Sequence, residues 1–155
     1  MKILTVDDSH VSEIVQVWKE SWDFHKNLEP TYFSMSQDGL SRFEEYLRGL
    51  MKSDNAQVLV TMDQGHVIAY SISQILRRIP VAKQEDYGFI SDLGVKAECR
   101  RRGLGEQMLN EILTWFDSRN VKRIELQVFA KNEIGFSFWK KHGFEVMALR
   151  MFLVR

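Results

Sequence analysis

The sequence predicts an α+β domain, a mixed sheet packed by helices, and three observations predict it. Two segments with strand patterning flank a tight-turn signal, which makes a hairpin. Two amphipathic helical stretches follow one another before that hairpin instead of alternating with strands. The order of elements reads β-α-α-β-β-β-α-β-α-β, whereas a doubly wound parallel sheet would alternate strictly.

Each element has its own justification. Lys2 to Val6 reads as a strand, and Asp7, Asp8 and Ser9 then offer N-caps to a helix. Val11, Ile14, Val15, Trp18 and Trp22 share one face of that helix. The stretch FHKNLEPTYF breaks at Pro30 and reads as a loop. Leu40, Phe43, Leu47, Leu50 and Met51 make a second amphipathic helix. AQVLVTM and HVIAYSISQIL, joined by the turn signal DQG, form the hairpin. PVAKQED is a polar connection and YGFISDLGV the next strand. Leu104, Met108, Ile112 and Trp115 then form a helical stripe, with Leu109, Leu113 and Phe116 beside it. RIELQVF is a strand; Asn132 caps a short helix through Lys141, with Gly143 at its left-handed end. FEVMALRMFLV closes the chain as a strand. Residues 1–155 are read as one domain with one core, and no repeat or low-complexity linker divides them.

Composition narrows the function classes. Lys+Arg and Asp+Glu are both 21, which argues against a general nucleic-acid binder. The positive charge is local instead, at Arg100–Arg102, and points to a small anionic ligand. Cys99 is the single cysteine, so no internal disulfide forms, and a reducing, cytoplasmic setting is expected. MKILTVDDSH lacks the apolar run of a signal peptide, and no segment is long and apolar enough to span a membrane. No metal site is expected.

The chemistry concentrates in CRRRGLGEQML, residues 99–109. Helix starts leave backbone N–H groups unpaired and carry partial positive charge. Glycines let backbone approach a ligand closely, and arginines add charge-assisted bonds to phosphate oxygens. Arg100-x-x-Gly103-x-Gly105 at a strand-to-helix junction therefore suits a pyrophosphate. Taken alone, these six residues also fit a basic turn before an ordinary helix. A dinucleotide fingerprint fails because Met108 stands where its last glycine belongs, and a P-loop fails for want of Gly-Lys-Ser/Thr.

The longer stretch DLGVKAECRRRGLGEQMLNEIL resembles the coenzyme A-binding motif of the GNAT superfamily of N-acetyltransferases. LQVFAKNEIGFSFWKKHGF resembles the segment that follows it in that family: a strand, an Asn, a short helix and Gly-Phe. The resemblance implies a mostly antiparallel central sheet, flanked by helices, in which the strand ending Leu93-Gly94-Val95 splays from the parallel strand Ile124–Phe129. Pantetheine would lie in the resulting wedge along Leu93, Gly94 and Val95, and Gly94 would allow a bulge there. The pyrophosphate would meet the turn made by Arg100, Arg101, Arg102, Gly103, Leu104, Gly105 and Glu106. Asn132, Phe138 and Trp139 would flank the pantetheine arm and thioester. The implied activity is transfer of acetyl from acetyl-CoA, as co-substrate, to a primary amine by direct attack. The implied partner is a small-molecule or peptide amine, with no nucleic acid and no membrane, and a homodimer is a common assembly in the family.

The sequence departs from the family pattern at the acid. Trp139 stands where many members have a tyrosine that protonates the leaving thiolate, and indole is no usable acid, so Trp139 reads as packing. A thiol with pKa near 8.5 can leave without full protonation. Asp92 is the only carboxylate in YGFISDLGV and the candidate base, with Glu125 a weaker one. Strand alternation puts Asp92 with Ile90 on one face and Ser91 with Phe89 on the other. Asp92 is either the base or a buried structural aspartate. Trp22, His25, Tyr32 and Phe33, near Pro30, are either core-packed loop residues or the acceptor pocket. Cys99 reads as passive. Freeing a lysine-like amine of its proton at pH 7 costs about 4.6 kcal/mol, and an α-amino group only about 1–1.4, so low-pKa amines are the easier acceptors. The competing reading is a catalytically silent acyl-CoA-binding sensor or interaction module.

Overall fold

A computed structural model describes residues 1–155 except Ala82, Gln84 and Glu85, which fall in the polar connection before the fourth strand. Among the described residues five strands form one sheet in the order of the chain: β1 (Lys2–Thr5), β2 (Ala56–Asp63), β3 (His66–Arg77), β4 (Asp86–Val95) and β5 (Ile124–Leu126). The first four run antiparallel to their neighbours, and β5 lies parallel to β4. Gln64 and Gly65 both take positive φ, so the turn signal between β2 and β3 closes a tight hairpin as expected. Asp7 caps a short 3-10 turn, Asp8–His10, by accepting the Ser9 N–H, and α1 (Val11–Leu28) follows.

The helices cover both faces. On one side α1 and α2 (Gly39–Met51) pack Val11, Ile14, Val17, Phe43 and Leu47 against Val58, Val60, Tyr70 and Ile72 of the sheet. On the other, α3 (Leu104–Ser118) sets Met108, Leu109, Ile112 and Phe116 against Leu59, Ala69 and Ile90. The apolar stripes read from the sequence supply both cores. Helix α4 (Glu133–Lys141) begins at Asn132, whose side chain accepts the Gly135 N–H.

Four expectations change. First, the bulge falls at Ser91 and not at Gly94: Ile72 pairs with Asp92 while Ser73 pairs with Ile90, leaving Ser91 without an opposite number. Second, the extra residue breaks the two-residue alternation, so Ile90 and Asp92 point to opposite faces. Ile90 joins the α3 core, while Asp92 meets Tyr70 on the α1/α2 side. Third, β5 ends at Leu126 instead of Phe129. Its last partner is Ile90, the residue before the bulge, so the bend that the bulge puts into β4 ends the ladder. Fourth, the closing strand at residues 144–154 is not formed, because none of those residues finds a ladder partner in this chain. No helix among the described residues is long and apolar enough to cross a membrane.

Candidate active site

The wedge opens where the ladder stops. Past Ile90 and Leu126, β4 continues to Val95 paired only with β3, while residues 127–132 lead away toward α4. Leu93, Gly94 and Val95 therefore lie on an arm whose outer edge is open, the edge that an extended ligand pairs with. Gly94 is fixed by a close approach. It stands opposite Tyr70, and a Cβ there would sit 2.4 Å from the Tyr70 ring. The missing side chain leaves room for that ring against β4, and the Tyr70 hydroxyl donates to Asp92 Oδ1 at 3.1 Å.

This arrangement governs the Asp92 carboxyl. Desolvation pushes it up to about 7, against the opposing pull of the Tyr70 hydrogen bond. The fully buried Tyr70 hydroxyl is held well above its ordinary value by the same desolvation, reinforced by the Asp92 charge. Beside them Gln74 Nε2 donates to Tyr46 Oη at 3.0 Å and to Ser91 Oγ at 2.8 Å. The Tyr46 hydroxyl is raised mainly by desolvation, with the Asp92 charge adding to it. Tyr46, Tyr70 and Gln74 did not stand out in the sequence. Tyr70 and Gln74 sit in an ordinary strand pattern, and only the pairing register brings them to Asp92. Replacing Gly94 by Ala is expected to lower stability by about 1–3 kcal/mol through overpacking against Tyr70. It should also displace the hydroxyl from Asp92, which a melting curve and the pH profile of turnover would both register.

The basic turn lies at the end of the same arm. After the 3-10 turn Ala97–Cys99, Arg101 and Gly103 both adopt left-handed backbone, at φ 59° and 78°. No side chain caps α3 at Gly103. Gln107 N–H bonds to Gly103 O, so the amides of Leu104, Gly105 and Glu106 precede the helix ladder. The three arginines are not equivalent. Arg100 folds back, donating from Nε to Val95 O at 3.1 Å and lying over the Phe24 ring. Arg102 reaches Asp63 at 3.9 Å, a loose surface pair. Arg101 is exposed on its left-handed backbone. Gly105 faces Phe138, whose ring would sit 3.2 Å from a Cβ, so this glycine seats α4 against the start of α3. Cys99 is buried with Ile68 and Leu104 behind the turn.

A second clasp closes the other side of the wedge. Ser21 O can only accept, so His25 Nδ1 carries the proton that bridges them at 2.7 Å. His25 Nε2 then accepts from Asn132 Nδ2 at 3.1 Å. Phe33 and Tyr32 pack on Phe129, beyond the end of β5, and Trp22 Nε1 donates to Phe33 O. Lys131 pairs with Glu29 at 2.9 Å across the same seam. Trp22, His25 and Phe33 are thus held in packing, whereas Tyr32 is half exposed at the rim. Trp139 stands edge-on to Phe138 and to Phe144 in the α3 core. Glu125 is taken up by Arg78 and Arg123. Among the described residues no three His, Cys, Asp or Glu side chains gather as a metal site.

Comparison with known proteins places this architecture. The chain matches the model of the Acetyltransferase (GNAT) family over residues 14–144. Among solved structures it superposes on a tetramutant of the BH1408 protein from Bacillus halodurans with a TM-score of 0.87 and 24% identity, covering 100% of both chains. It superposes on the aminoglycoside antibiotic 6'-N-acetyltransferase AAC(6')-IG from Acinetobacter haemolyticus with a TM-score of 0.78 and 13% identity, over 100% of this chain and 98% of that one. The aminoglycoside N-acetyltransferase AAC(6')-Iy, solved with CoA, gives a TM-score of 0.74 at 16% identity, over 99% of this chain and 93% of that one. A search of curated proteins by sequence gives no match. The family match takes in the α3 core, the bulged strand and the basic turn, and on it the chain belongs to the GNAT acetyltransferase family.

Proposed function

We propose that the chain is an acetyl-CoA-dependent N-acetyltransferase whose acceptor is a small-molecule primary amine. The observation that carries this reading is the splay of β4 at its Ser91 bulge. It sets a desolvated carboxyl, Asp92, on the open arm that leads into an uncapped helix start. The aminoglycoside acetyltransferases among the structural neighbours support a small-molecule acceptor.

In this mechanism the arm Leu93–Val95 pairs with the pantetheine amides, and the backbone of Arg101–Glu106 takes the pyrophosphate with Arg101 beside it. The amine nitrogen attacks the thioester carbonyl, the C–S bond breaks, and the sulfur leaves as thiolate. The amine's surplus proton passes to Asp92, directly or through one water. A carboxyl near 7 suits that task at neutral pH, since it is substantially ionised yet basic enough to accept. Tyr70 holds the carboxylate oriented. Trp139 supplies packing and no proton. Trp139→Phe is therefore expected to keep turnover within about tenfold, equivalent to about 1.4 kcal/mol in the barrier. Trp139→Ala should lower stability by about 1–3 kcal/mol and loosen acetyl-CoA binding, because the ring that separates Phe138 from Phe144 is gone.

The test is release of free CoA thiol from acetyl-CoA against a panel of amines spanning aminoglycosides, polyamines and peptide N-termini. Turnover with a small-molecule amine supports the proposal. Tight acetyl-CoA binding with no turnover on any amine would replace it with the sensor reading.

A further inference from the structure

One wall of the wedge is held by the sheet and the other is not. The arm Leu93–Val95 is laddered to β3 along its inner edge. Opposite it, β5 ends at Leu126, and residues 127–132 take no ladder position among the described residues before α4 begins. The anchors of this second wall come from α1 and the residues just after it. The Phe129 ring packs on Phe33 and on the His25 ring, Lys131 pairs with Glu29, and Asn132 meets His25, 107 residues away in the chain. The C-terminal end of α1 therefore sets how far the wedge opens.

Among these anchors, the His25–Asn132 bond dictates a protonation state. Gly135 N–H can only donate, and it bonds Asn132 Oδ1 at 2.9 Å, so the Asn132 nitrogen faces His25. That nitrogen also can only donate, so His25 Nε2 must be bare, and Nδ1 carries the proton toward Ser21 O. The series closes only with a neutral ring. A second proton on His25 sets Nε2–H against the Asn132 N–H. Turning the Asn132 amide over moves the same conflict to the Gly135 N–H. The amide is also packed where it lies, since a Cβ on Gly135 would sit 2.7 Å from Asn132 Nδ2.

The surroundings offer a second proton no compensation. Glu29 is engaged by Lys131 and Thr31. Arg100 lies over Phe24, which stands edge-on to His25, and Phe33 and Phe129 supply the other ring contacts. Lys26 and Glu133, next in the chain to the two clasp residues, are exposed.

We propose that His25 is a positioning residue for acetyl-CoA: its bare Nε2 holds Asn132, and with it the unladdered wall of the wedge, in place for the pantetheine arm. The inference rests on the acetyl-CoA reading above and adds that binding requires the neutral ring. By linkage, acetyl-CoA and the second proton on His25 oppose each other.

Calorimetric titration of acetyl-CoA into the full-length chain tests this. His25→Phe keeps an aromatic ring beside Phe33 and Phe129 but removes the acceptor. Its affinity at pH 8 should fall about tenfold, the scale of one lost hydrogen bond. His25→Gln returns an acceptor oxygen that takes no proton, and it should recover most of that loss. The pH dependence separates positioning from packing. Between pH 8 and about pH 5.5 the wild type should lose about tenfold more affinity than His25→Gln. The ligand's phosphates and the Asp92 carboxyl titrate in both chains and cancel in that comparison. Nitrogen NMR of the wild type at neutral pH should show His25 with Nδ1 protonated and Nε2 bare. Gly135→Ala drives a methyl into the Asn132 amide from the α4 side. It should reproduce the His25→Phe loss, and it serves in its place if His25→Phe does not fold. Wild-type affinity in the clasp-breaking variants would overturn the proposal and leave the catalytic reading standing. So would matching pH dependence in wild type and His25→Gln, or an Nε2-protonated ring. A wild-type chain that binds no acetyl-CoA would overturn the catalytic reading and this proposal together.

Discussion

Asp92→Asn is expected to lower turnover about 10²-fold while leaving acetyl-CoA affinity unchanged and raising thermal stability above neutral pH. The catalytic loss is the usual scale for removing a general base. The remaining activity should follow the ionisation of the amine itself, so the pH profile moves upward. The stability gain follows from the direction of the shift. The folded protein holds the Asp92 proton up to about pH 7, whereas the unfolded chain releases it near the ordinary carboxylate value. The aspartate's contribution is therefore most favourable below that ordinary value and is lost as pH rises through about 7. At pH 8 the wild type carries a desolvated charge that asparagine does not. Asparagine can still accept the Tyr70 hydroxyl, so the hydrogen bond survives. Partial solvent contact at Asp92 reduces the gain to about 1–3 kcal/mol. That corresponds to about 3–10 °C for a chain of this size, and it should vanish near pH 4. Melting at both pH values, beside turnover from pH 6 to 10, decides the point. A variant that melts early and keeps its specific activity would make the carboxylate structural.

Much of the fold was legible because it rests on local signals. The apolar stripes of α1, α2 and α3 need only helical spacing, the β2–β3 hairpin needs only its turn, and the Asn132 cap needs only a side-chain oxygen before a helix. The family resemblance rested on a chain-local motif in the same way. What escaped the sequence depends on pairing between strands. Ser91 carries no mark of a bulge, yet its insertion sends Ile90 and Asp92 to opposite faces and sets where β4 parts from β5. Gly94 was legible as special, but its reason is the Tyr70 ring across the ladder. The Arg100 charge was legible, but not that its Nε would bond the Val95 carbonyl at the end of β4. The closing strand has strand patterning, yet residues 144–154 take no ladder position, because patterning alone says nothing of where a pairing edge lies.

Gly103→Val is expected to weaken acetyl-CoA binding by about 10–100-fold, or about 1.4–2.8 kcal/mol. Gly103 ends the turn at φ 78°, a region that costs a β-branched residue about 1–3 kcal/mol. The turn must rearrange to relieve that strain, and the amides of Leu104, Gly105 and Glu106 move with it. The neighbouring space sharpens the effect. Apart from its chain neighbours, the nearest atom to a Cβ at Gly103 is Gln107 Nε2 at 3.8 Å, so the new side chain enters open space beside the turn instead of the core. The folded state should therefore survive while the anion cradle is misshapen. Gly65 supplies a matched control. It has φ 83° and nothing within 4 Å of a Cβ, but it lies in the β2–β3 turn, so Gly65→Val imposes similar strain without touching α3. Calorimetric titration of acetyl-CoA into both folded variants should show loss in Gly103→Val and none in Gly65→Val. Unchanged affinity in Gly103→Val would place the pyrophosphate elsewhere, whereas equal losses in the two would mean that strain spreads through the domain and that the turn has no special part in binding.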